Sequence, residues 1–200
     1  WADAENRRIA DLVNFTNYFF ARHTILNIII RYCVLTEDSN LLIMRPYQIA
    51  ACERILNKIK YAENKNIYGG IDAGGYIWHT TGSGKTLTSF KTSLLASKTD
   101  YIDKVFFVVD RKDLDYQTIK EYEKYQKGCV SSNKSTRILQ QHIEGDSKII
   151  VTTIQKLSTF IKKNKFHNIY NKKVVLIFDE CHRSQFGEMH TKIIKYFKKY

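Results

Sequence analysis

A three-layer α/β domain with a mainly parallel sheet is the fold this sequence predicts, and three observations predict it. Runs rich in Val, Ile and Phe recur at Lys104 to Val109, Lys148 to Thr152 and Lys173 to Phe178. Each is apolar without alternation, as strands covered on both faces are. Helical patterns lie between them, from Leu114 to Lys127 and from Ile154 to Lys162, the alternation of a parallel sheet. A further apolar run, Tyr76-Ile77-Trp78, enters a Gly/Ser/Thr turn and then a helical pattern at Leu87, Phe90, Leu94 and Leu95. Strand, loop and helix in that order complete the expectation.

The remaining elements follow along the chain. Residues 3 to about 21 read as an amphipathic helix with Ile9, Leu12, Val13, Phe19 and Phe20 on one face. A second helix or mixed segment runs from Thr24 to Cys33, and Leu41 to Met44 is extended. Residues 1–44 are thus expected to be a helical linker from an upstream domain, with the main domain over 45–200. Pro46, the single proline, suits a first helical turn, where its missing N–H costs nothing. That helix continues through Ile49, Cys52, Ile55, Leu56 and Ile59. Asn64 to Gly75 is a polar, glycine-rich loop, and Ile138, Leu139 and Ile143 suggest one short helix within 128–146.

Composition sets the bounds. Two hundred residues, 44% hydrophobic and 26% charged, make one globular domain with a real core. A net charge of +12 favours a polyanionic partner. The 23 lysines against 9 arginines, with abundant Ile, Asn and Tyr, equally fit an AT-rich genome, so charge alone leaves both open. Cys33, Cys52, Cys129 and Cys181 are scattered without a C-x-x-C pair. Neither a zinc site nor a disulfide framework is expected, and a reducing, cytoplasmic setting is. Adding His79 and His182 to Cys181 does not change this, since zinc wants more ligands at tighter spacing. The apolar run from Ile25 to Leu35 is interrupted by Asn27 and Arg31 and is too short to span a bilayer, and no signal peptide is visible. The chain opens at Trp1 and finishes in a lysine-rich helical pattern, so it is expected to be a piece of a longer polypeptide.

The chemistry concentrates where strands are expected to end, the place where open parallel sheets bind ligands. In Thr81-Gly82-Ser83-Gly84-Lys85-Thr86 the glycines let the backbone fold round an anion. The amides and the positive end of the next helix would hold phosphates. Lys85 would reach the β- and γ-phosphates, and the Thr86 hydroxyl would ligate Mg²⁺. The general phosphate-loop pattern wants glycine where His79 stands. Asp179-Glu180 follows the apolar run ending at Phe178. Asp179 would hold Mg²⁺ through its waters, Glu180 would activate the attacking water, and His182 would relay to a neighbouring domain. The plain alternative for this pair is a helix cap with a first-turn charge.

Gln48, at a helix start, offers donor and acceptor to an adenine edge, or simply to solvent. Arg111, Lys112, Thr153 and Gln155 at two other strand ends would contact a sugar–phosphate backbone, with N-capping as the alternative. The lysines from Lys162 to Lys173 read as a solvated face.

These strings carry a family likeness. T-T-G-S-G-K-T, D-R-K-D-L, T-T-I-Q-K and D-E-C-H resemble, in order, motifs I, Ia, Ib and II of superfamily 2 helicases and translocases, and R-P-Y-Q resembles their adenine-reading Q motif. The longer strings Arg45 to Ala51, Gly74 to Thr86, Phe106 to Gln117 and Phe178 to Gly187 resemble the first motor domain of the restriction subunit of type I restriction–modification enzymes. The resemblance implies a RecA-like lobe that binds ATP and Mg²⁺, with Arg45 and Gln48 on the base side, and drives translocation on double-stranded DNA. It implies modification and specificity subunits as partners. It also implies a nuclease domain and a second motor lobe elsewhere in the subunit. Two other functions fit the same motifs: the motor of another superfamily 2 helicase or remodeller, and a nucleotide-dependent DNA-binding module without turnover.

Overall fold

The computed structural model describes residues 1–3, 5–80, 82–109, 112–125, 135–179 and 187–200. The fold is mixed α/β around a parallel sheet of three strands, β3 (Lys104–Val109), β4 (Ile149–Thr153) and β5 (Val174–Phe178). Their order is β4-β3-β5, with β3 in the centre. Val105 stands opposite Ile149 and Val175, and Val108 opposite Thr152 and Phe178. Every residue of β3 and β4 is buried, which is why their sequences read as unbroken apolar runs.

Successive side chains leave a strand on opposite faces, and the core divides accordingly. Phe106, Val108 and Ile150 pack with Leu139 and Ile143 of α6 (Thr136–Glu144), Leu157 and Phe160 of α7 (Ile154–Lys163), and Ile193 of α8 (Glu188–Tyr196). Phe107, Val109 and Val151 pack with Phe90 of α4 (Lys85–Ser97) and Tyr122 of α5 (Lys112–Tyr125). In front of these elements lie α1 (Leu12–Phe19), α2 (Arg22–Asn27), a π-helical turn (Ile28–Tyr32), an antiparallel hairpin of β1 (Cys33–Leu35) and β2 (Leu41–Ile43), and α3 (Pro46–Lys65). Val34 of the hairpin enters the Phe90 cluster, and Met44 packs with Tyr32 and Cys52. The core therefore draws on residues on both sides of position 45. Among the described residues, no helix is long and apolar enough to cross a membrane.

Two expected elements differ. Tyr76-Ile77-Trp78 has no regular secondary structure, and Tyr76 and Trp78 are 81% and 86% exposed. A strand exists only through its neighbour. This run is preceded by Gly74 and Gly75 and has no pairing partner among the described residues. Among the described residues the parallel sheet thus has three strands, not four. The first helix covers Leu12–Phe19 rather than 3 to 21. Before it, the Asp3 carboxylate accepts from the amides of Glu5 and Arg7 and from the Arg7 guanidinium, and Asn6 turns the chain at φ 67°. Asp11 is the true cap, accepting from the Asn14 amide at 2.8 Å. Leu12 and Val13, expected on a packing face, are exposed.

Candidate functional site

The site is built at the start of α4. Gly82 and Gly84 have φ of +76° and +78°, a backbone that side-chain-bearing residues adopt only with strain. Between them the Ser83 amide and hydroxyl both donate to Thr80 O, at 3.2 and 2.7 Å, closing a tight turn. The first i→i−4 bond of α4 runs from the Thr88 amide to Gly84 O, so the amides of the first turn point out beyond the helix end. Lys85 and Thr86 open the helix, both half-buried.

The first turn of α3 holds this loop from below. Gln48 is buried. Its side-chain amide donates to Ser83 O and Gly84 O, each at 3.2 Å, and its oxygen accepts from the Arg45 amide at 2.8 Å. Tyr47 Oη donates to the same Ser83 O at 2.8 Å. A Cβ on Gly84 would come within 2.4 Å of Gln48 Nε2, so a side chain there would meet left-handed strain and would displace the Gln48 amide from its bonds. The alternative of simple solvation for Gln48 is therefore set aside: this side chain braces the loop.

Beside the loop lies a cleft of about 600 Å³, lined by Arg45, Tyr47, Arg54, Trp78, His79 and Ser83 among others. His79 meets Tyr47 edge-to-face at 5.8 Å. Burial first, and then the Lys85 ammonium, hold its imidazole below the ordinary histidine value. Tyr47 and Trp78 belong to the wall of the site although the sequence singled out neither. Tyr47 adjoins Gln48 in the R-P-Y-Q string, the one signal that pointed there.

Asp179 follows β5 and is half-buried, and its amide donates to Val108 O of the central strand at 2.9 Å. Leu87, in the first turn of α4, packs in the same cluster as Val109 and Ile177, the last or next-to-last residues of β3 and β5. Leu87 thus joins the head of α4 to the sheet face that α4 covers, and Asp179 stands at the carboxyl end of β5. Glu180, His182, Thr81 and Arg111 lie outside the described residues, and Lys112 opens α5. Thr153 is fully buried and caps α7 by accepting from the Lys156 amide at 3.3 Å, whereas Gln155 is exposed. Among the described residues no cluster of three or more metal-ligating side chains occurs.

A loop with two left-handed glycines stands at the head of a helix, and comparison with known proteins gives the class to which such a chain belongs. Residues 47–200 match the family described as SWI2/SNF2 ATPase. The chain is 52% identical to a Mycoplasma pneumoniae protein named as the C-terminal part of a type I restriction enzyme endonuclease subunit, a match covering 98% of this chain and 99% of that one. It is 46% identical to a type I restriction enzyme endonuclease subunit of Staphylococcus saprophyticus, over 98% of this chain and 21% of the other. A Methanocaldococcus jannaschii endonuclease subunit is 30% identical over 79% of this chain and 14% of its own length. The chain belongs to the endonuclease subunits of type I restriction enzymes and forms part of their SWI2/SNF2 ATPase region.

Proposed function

We propose that this chain is the first RecA-like, three-layer motor lobe of a type I restriction endonuclease subunit, binding and hydrolysing ATP to drive translocation on double-stranded DNA. The domain proper is 45–200, with 1–44 leading into it. The observation that supports this is a lysine, Lys85, opening a helix behind two left-handed glycines, within a region that matches the SWI2/SNF2 ATPase family. The surplus amides and the positive end of a helix start favour an anion such as phosphate.

In this reading the Gly82–Gly84 turn and the first-turn amides cradle the phosphates, Thr81 and Ser83 are further nucleotide contacts, and Lys85 spans the outer phosphates. The donor set suits Mg²⁺, a hard cation that keeps most of its waters: the Thr86 hydroxyl and the Asp179 carboxylate would hold it, and it would offset charge on the phosphate oxygens. Glu180 takes the proton from the attacking water, and His182 relays between the site and the second lobe. The cleft beside Tyr47 and Trp78 takes the base. Arg45 lies on its wall, and Gln48 reaches the base only by exchanging its present bonds to the loop. Arg111, Lys112, Thr153 and Gln155 are the proposed backbone contacts to DNA. The buried, capping Thr153 acts there through helix placement, and Gln155 is the exposed member. Modification and specificity subunits, the nuclease domain and the second lobe complete the machine, in the bacterial cytoplasm.

The test uses the complete subunit carrying this chain, assembled with its partner subunits. Lys85→Ala and Glu180→Gln should each abolish DNA-stimulated ATP hydrolysis and translocation while the complex still forms. Wild-type turnover in either variant would refute the assignment. Retained DNA binding gated by nucleotide, with no single-turnover cleavage in the unaltered subunit, would instead favour a binding module.

A further inference from the structure

The hairpin β1–β2 is buried on one side and apolar on both. Val34 and Leu42 face each other across the register and enter the core beside Phe90. On the other side Leu35 faces Leu41, with Ile43 two positions on, and all three are exposed. An antiparallel pair with one solvated face ordinarily alternates apolar with polar. The preceding π-helical turn repeats the pattern: Ile28 and Tyr32 are buried, while Ile29 and Ile30 are exposed, Ile30 by 77%. No residue of α1 or α2 is buried. The one charge between Ile25 and Leu35, Arg31, is paired with Glu53 at 3.1 Å. In a chain of net charge +12, uncovered apolar surface running through consecutive, mutually packed elements marks an interaction site.

We infer that residues 12–43 form the face on which the rest of the endonuclease subunit docks. The lengths of the relatives identify the occupant. The M. pneumoniae protein that this chain matches end to end is named as a part of a subunit. In the S. saprophyticus subunit the matched region is 21% of the polypeptide, so about four-fifths of that protein is available to cover this face. The face is not a loose appendage. Lys91, buried in α4, donates to Cys33 O at 2.9 Å, and Val34 packs on Phe90 of the same helix. Docking there bears on the helix that begins at Lys85. The inference rests on family membership and not on ATP hydrolysis, so each can fail without the other.

Hydrogen exchange at residues 28–43 tests it in two settings: the 200-residue chain alone, and the S. saprophyticus subunit with its matched region replaced by this chain. Exchange should slow at least tenfold in the complete subunit. Ile30→Lys with Leu41→Lys should leave the melting temperature of the isolated chain unchanged, because both side chains are exposed, yet restore fast exchange in the complete subunit. Equal exchange in the two settings would overturn the proposal. So would concentration-dependent self-association of the isolated chain that the lysine variant abolishes, since the occupant would then be a second copy.

Discussion

Two lysines at opposite kinds of helix end, each beside a histidine, set a proposed functional cation against a structural one. At the amino edge Lys104 is buried and its ammonium donates to the carbonyls of His142, Gly145 and Ser147. These carbonyls stand at and just after the end of α6 (Thr136–Glu144), where a helix leaves acceptors over and its dipole favours a cation. Lys85 instead opens α4, where the amides are in surplus and the dipole favours an anion. The first lysine finishes the fold; the second stands at the helix start where the proposed function puts the phosphates. The rest of the amino edge has the same self-contained character: Asp103 and Lys173 exchange backbone and carboxylate bonds at 2.9 Å, and the Lys173 ammonium pairs with Glu63.

Exchanging the two roles should give opposite profiles. In the proposed function Lys85→Ala removes the charge on the outer phosphates and should raise the barrier to hydrolysis by about 3–4 kcal/mol, a loss of about 100- to 1,000-fold. Its effect on unfolding should be small. Lys104→Met should do the reverse, costing about 2 kcal/mol of stability by stranding carbonyls at the end of α6, with nucleotide affinity of the folded fraction intact. Thermal unfolding beside steady-state ATP turnover in the complete subunit separates them. A Lys104→Met variant as stable as the parent would erase the distinction.

The glycines of the loop sharpen the same contrast at smaller scale. Gly84→Ala meets Gln48 Nε2 at 2.4 Å, while Gly82→Ala meets nothing within 4 Å. Both incur about 1 kcal/mol of left-handed strain. Only Gly84→Ala should add about 1 kcal/mol more by displacing a buried amide with three bonds. Combining it with Gln48→Ala should leave less than the sum of the two effects, and simple additivity in a double-mutant cycle would show that Gln48 does not brace the loop.

Which parts were legible in the sequence follows from how local each signal is. β3 and β4 are buried on both faces, so their apolar runs declared them. The helix starts at Pro46 and at Lys85 were marked by proline and glycine chemistry that acts within a few residues. Tyr76-Ile77-Trp78 misled because strand formation depends on a partner remote in sequence. The opening helix misled because Asp3 and Asn6 make a turn that hydrophobic spacing does not register. At the site, the backbone of the loop was legible through Gly82 and Gly84, but the brace from Tyr47 and Gln48 was not. A buried glutamine and a surface one look alike until the residues 35 and 36 positions away are folded against it.

The finest test of the comparison is the histidine beside each lysine. Burial first, then the neighbouring lysine, lowers the affinity for protons of both His79 and His142. A histidine lowered in the fold is protonated first in the unfolded chain. Stability is therefore fully present above the ordinary value of 6.5 and falls as pH drops through it towards the folded value. Replacing Lys85 by Met should move the His79 titration, followed by its ring-proton NMR resonance, back up towards the ordinary value and leave His142 where it was. Lys104→Met should do the converse. ATP with Mg²⁺ adds the decisive arm: an anion beside Lys85 offsets that lysine's field, so His79 should titrate higher with nucleotide while His142 does not move. If both histidines shifted together, the two lysines would not be electrostatically separate, and the assignment of Lys85 to the phosphate site would lose its basis.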